Sequence, residues 1–262
     1  MSYKNIVLER GDGGIATLTI HRPERMNAIS IETVGEMMDA LGRLARDEEL
    51  RVLVLTGAGH RAFCAGADVA DMAPRPAQEA GRIVRLYLDY VLTLRDLPVP
   101  VIARINGVAA GGGCCTALAC DIRVASESAR FGFVFHNVGL TAADLGATYF
   151  LPRLVGYGKA AELLLTAELI DAPEALRIGL VNRVVPDDRL DAAVDSLAER
   201  LAAGPPKATR LTKQALNQSL DRDLASEFDF EVLAQTLCIL SEDHIEGARA
   251  FREKRAPVFR GR

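Results

Sequence analysis

The chain has 262 residues, 49% hydrophobic and 25% charged, with 31 Lys and Arg against 35 Asp and Glu for a formal net charge of −4. That length buries a large core, as one α/β domain or as one domain with a small helical appendage. No uninterrupted apolar run reaches about 18 residues, which argues against a membrane span, and Lys and Arg scattered along an acidic chain argue against a nucleic-acid surface.

The opening MSYKNIVLERGDGG has no basic segment followed by an apolar one, so no secretory signal is expected. The 5 cysteines, at positions 64, 114, 115, 120 and 238, are odd in number and form no C-x-x-C pair. They read as reduced, buried thiols of a cytoplasmic protein. The 4 histidines, at 21, 60, 136 and 244, stand at no ligand spacing, so no metal site is expected.

Asn5–Glu9 and Ile15–Ile20 flank Gly11-Asp12-Gly13-Gly14 and predict a hairpin. A polar loop, HRPERMN (21–27), precedes Ser30, which caps a helix to about Arg46 with Glu32 and Thr33 in its first turn. VLVLT (52–56) predicts a buried strand. Gly57 to Ala62 then reads G-A-G-H-R-A, a formal nucleotide-binding fingerprint with Glu79 about 20 residues on, as in a Rossmann oxidoreductase. Gly66 and Asp68 interrupt the segment where a long helix should follow, so this rival, which tight NAD binding would reveal, lacks its context. DMAPRPAQ (71–78) reads as a loop. It leads into an amphipathic helix from about Glu79 to Leu94, with Ile83, Leu86, Tyr87, Tyr90, Val91 and Leu94 on the apolar side.

Pro100 to Ser126, PVIARINGVAAGGGCCTALACDIRVAS, predicts a buried strand at Val101–Ile105, a turn at Asn106-Gly107, a short apolar helix from about Cys114 to Ala119 and a strand at Ile122–Ala125. Glycines weaken regular elements, so a run at 111–113 implies a close backbone approach or exposed amides. A helix beginning just after them directs free N–H groups and a positive dipole end at whatever lies there. A tight turn against a neighbouring helix is the plainer alternative. The strand at 52–56 also ends in a Gly/Ala-rich turn, and two such turns can place two amides on one point, as an oxyanion requires. Further on, Leu145–Leu154, 159–165 and 172–178 predict helices and 180–185 a strand; from 187 to the end the pattern is helical, with Gly204-Pro205-Pro206 as punctuation. No linker, repeat or low-complexity tract breaks the chain.

These segments resemble the crotonase family, the enoyl-CoA hydratase/isomerase superfamily. AFCAGADV (62–69) and NGVAAGGGC…ALACDIRVAS (106–126) represent its two signature blocks. HRPERMNAI (21–29), GL…YFLPRLVG (139–156), RIGLVNRVV (177–185) and GARAFREKRAPVFRGR (247–262) extend the likeness over nearly the whole chain. The resemblance implies an α/β fold: a crotonase (ClpP/crotonase-like) spiral of ββα units over 1–186, then a helical trimerisation region over 187–262. A homotrimer or a hexamer built as a dimer of trimers is implied with it. So is an acyl-CoA enzyme of fatty acid metabolism whose substrate arrives as a coenzyme A thioester, with no permanently bound cofactor. By the same resemblance the backbone amides of Ala67 and Gly112 are the oxyanion donors, and Arg25, Ala65, Asp68 and Val69 contact coenzyme A. Phe251 and Lys254 would lie near a neighbouring subunit's coenzyme A. For Arg25, Phe251 and Lys254 an ordinary solvated residue is the alternative.

Hydratases of this family carry two glutamates, one after the GGGC block and one in an F-G-x-P-E stretch. Here those positions fall at Cys115 and Phe135, and neither side chain holds or deprotonates water as a carboxylate does. Cys115 at an apolar helix start reads as packing, with titration as the alternative. Asp144 remains, where many relatives carry G-L-x-P-D-x-G-G; that aspartate is a candidate base for moving a proton between C2 and C4. Asp144 lies 5 residues after Gly139 instead of 4, with alanine for the proline, and such a shift matters for catalytic geometry. Its other reading is a helix N-cap. His136 is a competent proton carrier by type; if Phe135 faces the pocket, a strand turns His136 away and a small bulge brings it in, and a surface or interface histidine is the preferred reading. The expected chemistry is therefore enolate stabilisation with double-bond isomerisation or another single-base reaction. Hydration or hydrolysis by an atypical base, or a non-catalytic acyl-CoA-binding relative, are the alternatives.

Overall fold

The computed structural model describes residues 3–71 and 73–262. Met1 and Ser2 of the opening stretch, and Met72 of the 71–78 loop, lie outside the described residues. Alternating apolar residues set the first pairing: β1 (Ile6–Arg10) runs antiparallel to β2 (Ile15–Ile20), with Ile6 opposite Ile20. Ala16, Leu18 and Ile20 point to the core from one face of β2. In α1 (Ile31–Leu44), Ser30 Oγ accepts the Thr33 N–H at 3.2 Å, and Val34, Met37, Leu41 and Leu44 are buried at helical spacing.

From here the chain repeats one unit, a strand in a large sheet, a short strand in a small sheet, then a helix. The units are β3 (Val52–Gly57), β4 (Ala62–Cys64) and α2 (Ala77–Arg95); β5 (Val101–Ile105), β6 (Val108–Ala110) and α3 (Gly112–Ala119); and β7 (Ile122–Ser126), β8 (Arg130–Gly132) and the pair α4 (Ala147–Val155) and α5 (Tyr157–Thr166). β9 (Leu169–Asp171), α6 (Ala172–Arg177) and β10 (Arg183–Val185) complete the sheets. The large sheet has the order β1-β2-β3-β5-β7-β10, parallel from β2 onward, and the small one β4-β6-β8-β9, parallel except at β9. This is the expected spiral of ββα units.

Strands covered on both faces read as continuous apolar runs, which is why VLVLT and VIARI are so legible. One face, with Leu53, Leu55, Val101 and Ala103, joins the main core. The other, with Val52, Val54, Ile102 and Val124, is sealed by Leu190, Val194, Leu197 and Ala198 of α7 (Leu190–Ala202). The helices beyond the sheet cover are α8 (Pro206–Gln218), α9 (Leu224–Ile239) and α10 (Glu242–Glu253). α8 is anchored at the N-terminal edge of the parallel strands, where Lys213 Nζ lies 2.7 Å from the Asp121 carboxylate and donates to the Val99 carbonyl at 2.8 Å. None of the residues of α9 is buried. No helix among the described residues is long and apolar enough to cross a membrane.

At the C-terminal edge of β3 and β5, two buried asparagines satisfy the turn that leads to β4. Asn106 Nδ2 donates to the carbonyls of Gly57 at 2.9 Å and Gly59 at 2.6 Å. Asn27 Nδ2 donates to those of Ala58 at 3.0 Å and Ala62 at 2.7 Å. The segment after β3 thus returns as a strand, not as the helix that a nucleotide-binding fingerprint opens. Replacing Asn106 by alanine strands buried carbonyls, so Asn106→Ala is expected to lower stability by about 3 kcal/mol. Urea unfolding would show it as a lower midpoint at unchanged slope.

Candidate active site

Past Cys64 the chain runs through Ala65-Gly66-Ala67 beside the loop that precedes α1. Ile29 and Ala67 form an isolated parallel bridge: Ile29 N–H donates to Gly66 O at 2.8 Å and Asp68 N–H to Ile29 O at 2.9 Å. In that pattern the amide of the middle residue points away from its partner, so Ala67 N–H faces the opposite side. The start of α3 lies there. Gly111, at φ 49 and ψ −120, makes the turn, with its N–H bonded to Gly132 O at 2.8 Å. Gly112 is the first helical residue, and its N–H has no acceptor within the helix.

The two amides are neighbours. A Cβ built on Gly112 would lie 3.7 Å from Ala67 N, and one on Gly66 would lie 3.3 Å from Gly112 N. Gly113 packs more tightly still, since a Cβ there would lie 1.9 Å from the carbonyl oxygen of Cys64. The glycine run therefore serves both a close approach and exposed amides.

Over this pair lies the turn before α4. That helix begins at Ala147, with Gly146 at its N-cap and no side-chain cap, so Asp144 is not the cap that the sequence allowed. Its backbone carbonyl accepts the Ala147 N–H at 2.9 Å, while its Oδ1 accepts the adjacent Leu145 N–H, also at 2.9 Å. Burial raises the Asp144 pKa above the usual carboxylate value, opposed by that Leu145 hydrogen bond. Leu145 takes a left-handed φ of 48, and its Cδ1 comes 2.9 Å from the Cβ position on Gly112. Asp144 is thus one residue from the side chain that covers the amides, and its carbonyl oxygen is 3.9 Å from Cys115 Sγ.

Cys115 itself is fully buried, and burial pushes its thiol well above the ordinary value, with Cys114 and Asp144 adding to the effect. A neutral packing thiol follows. Cys64, Cys114 and Cys120 are pushed by burial up to about 12, whereas Cys238 is only half-buried. Phe135 is buried, but on a 3-10 turn over Val134–Val138, not the expected strand. The turn leaves His136 exposed, its Nδ1 3.1 Å from the Leu165 carbonyl.

The expected coenzyme A residues divide into two groups. Ala65 N–H donates to Met26 O at 3.1 Å, which joins the 62–69 segment to the loop carrying Arg25. Arg25 and Val69 are exposed there and Ala65 is half-buried. Asp68 is buried, and its carboxylate lies 2.7 Å from Arg22 Nη2 and 3.1 Å from the Ala70 N–H that it accepts. Burial alone would raise the Asp68 pKa, but Ala70 and Arg22 bring it below its ordinary value. That carboxylate braces two loops, and the Asp68 backbone is engaged as well, its N–H by Ile29 O and its carbonyl by the Asp71 N–H, both at 2.9 Å. The Arg22–Asp68 pair carried no signal in the sequence, because its members are 46 residues apart in unlike motifs.

Phe251 and Lys254 stand exposed at the end of α10. The same helix holds the C-terminal tail through Asp243, which accepts the N–H groups of Arg260 at 2.7 Å and Gly261 at 2.8 Å. Gly261 rests on Arg51, just before β3. Within one chain these residues belong to the N-terminal edge of the sheet, whereas Ala67, Gly112 and Asp144 gather at its C-terminal edge.

A family model described as "Enoyl-CoA hydratase/isomerase" matches residues 10–262. A short-chain-enoyl-CoA hydratase from Clostridium acetobutylicum is 40% identical over 255 residues, covering 97% of each chain. A 1,2-epoxyphenylacetyl-CoA isomerase from Escherichia coli is 39% identical over 260 residues, covering 98% of each. The crystal structure of an enoyl-CoA hydratase from Bacillus anthracis superposes with a TM-score of 0.95 at 36% identity, covering 99% of this chain and 100% of that one.

The glycine contacts make a ranking of stabilities. Gly113→Ala drives a methyl into a backbone oxygen and is expected to cost about 4 kcal/mol or more, while Gly112→Ala presses its methyl on the buried Leu145 side chain and costs about 2 kcal/mol. Thermal unfolding of the two variants checks the order. For Asp144 the raised pKa gives the sign: its contribution to stability is complete below the ordinary carboxylate pKa, about 4, and is lost as pH rises through the raised value. Asp144→Asn should therefore melt at the same or a higher temperature than the parent at neutral pH, with the gap closing in acid.

Proposed function

The chain belongs to the enoyl-CoA hydratase/isomerase family, and we propose that it forms the enolate of a coenzyme A thioester and moves a single proton with Asp144. What supports this reading is that Asp144, a half-buried carboxylate, directly precedes Leu145, whose Cδ1 comes 2.9 Å from the Cβ position on Gly112, itself 3.7 Å from Ala67 N. Cys115 and Phe135, at the positions where the family's hydratases carry glutamates, offer no second carboxylate. A thioester oxygen between Ala67 N–H and Gly112 N–H accepts from both. As Asp144 takes a proton from the carbon alpha to the carbonyl, the electron pair moves onto that oxygen, and each amide stabilises it by about 3 kcal/mol. The carboxylic acid so formed returns the proton to C4 and the double bond shifts toward the thioester. Burial suits Asp144 to this work, because a carboxylate with a raised pKa is a stronger base.

Coenzyme A would lie along the loops bearing Arg25, Ala65, Asp68 and Val69, while Phe251 and Lys254 reach the ligand of a neighbouring copy. A homotrimer, or a dimer of trimers, accounts for α9, where Leu224, Phe228, Val232, Leu233 and Leu237 are exposed with no cover within the chain. A second reading is hydration with Asp144 as the only acid and base, favoured by the 40% identical relative named a hydratase.

Mass spectrometry of saturated, 2-enoyl and 3-enoyl thioesters incubated in D2O separates the readings. Isomerisation shows as a shifted double bond with deuterium exchange, reduced about 1,000-fold by Asp144→Asn and reduced also by Gly112→Ala, which keeps the N–H but sets a methyl 3.7 Å from Ala67 N. Addition of water that disappears with Asp144→Asn selects the second reading; addition that survives it overturns both. The base must be ionised, so kcat/KM should fall as pH drops through the raised pKa of Asp144 and level off above it. Light scattering tests the assembly: Val232→Glu is expected to reduce a trimeric or hexameric mass to that of one chain.

A further inference from the structure

Leu145 combines features that its sequence position does not explain. It is 2% exposed, it holds a left-handed φ of 48, and no other side chain is among the three atoms nearest to the Cβ position on Gly112. That position lies 2.9 Å from Leu145 Cδ1 and 3.7 Å from Ala67 N, so the leucine methyl and the Ala67 amide flank the same side of Gly112. The backbone around it has little freedom. Leu145 N–H is held by Asp144 Oδ1 at 2.9 Å, and a Cβ on Gly146 would lie 2.6 Å from the Phe150 ring. A left-handed leucine costs about 1 kcal/mol that glycine would avoid.

We infer that Leu145 sets the shape of the acyl group, admitting thioesters with an unbranched C2 and excluding those with a C2 methyl. The inference rests on the oxyanion reading of Ala67 and Gly112. An oxygen bonded to both amides puts the carbonyl carbon and C2 within about 2.5 Å of itself, while apolar atoms need about 4 Å between centres. A C2 methylene passes beneath Leu145 Cδ1, but a second substituent on C2 meets it. Gly66, Ala67 and Gly112 present at most one methyl to the same space, which leaves Leu145 as the large side chain nearest to the Gly112 Cβ position.

The test is calorimetric binding of two isomers of equal size, butanoyl-CoA and 2-methylpropanoyl-CoA, to the wild type, Leu145→Ala and Leu145→Gly, with melting curves for each protein. Glycine suits the positive φ, so that variant keeps the fold even if alanine does not. The wild type should prefer the straight-chain isomer by about 100-fold and the variants by less than about 5-fold. Equal affinity of the wild type for both isomers, or a preference unchanged in the variants, overturns the role of Leu145 and leaves the oxyanion site standing. No binding of either isomer to the wild type overturns the reading of the site and this inference with it.

Discussion

The carbonyl oxygen of Cys64 stands 1.9 Å from where a side chain on Gly113 would begin, and that approach of two backbones determines the rest of the site. It is possible only because the first turn of α3 is glycine, and it brings Gly66 and Gly112 into contact so that the Ala67 and Gly112 amides lie side by side. Everything around it acts to hold the approach. Asn27 and Asn106 satisfy the carbonyls of the turn before β4, the Arg22–Asp68 pair ties the segment after β4 to the loop before α1, and the Ile29–Ala67 bridge turns the Ala67 amide away from Ile29. These are main-chain and buried polar contacts, with fixed geometry and little motion to lose on binding a ligand.

Around the amides the side chains are mostly apolar, and this sets the chemistry. Cys115 stays a neutral thiol because burial penalises its charge, and the same desolvation raises Asp144. The turn from Asp144 to Ala147 positions that carboxylate, and it does so through a left-handed leucine, an uncommon state for a branched side chain.

Much of this was legible in the sequence. The buried parallel strands, the Ser30 cap, the apolar face of α2 and the glycine run each follow a local rule, and motifs spread in order over the chain give the spiral. What the sequence did not disclose depends on non-local contacts. Asp144 reads as an N-cap because aspartate before an apolar helical pattern usually is one; only a positive φ at Leu145, rare for leucine, moves the helix start to Ala147. The stretch around Phe135 alternates like a strand yet turns as a 3-10 helix, which sends His136 to the surface. α7 reads like the helices after it, but its apolar stripe matches the outer face of the large sheet, which a pattern in sequence cannot identify.

The convergence of the Ala67 and Gly112 amides is tested most directly by infrared difference spectroscopy of butanoyl-CoA labelled with 13C at its carbonyl and bound to the protein. Two hydrogen bonds to the oxygen predict a carbonyl stretch displaced well below that of the free thioester. A bound thioester whose carbonyl stretch stays at its aqueous frequency would contradict an oxyanion site at these amides.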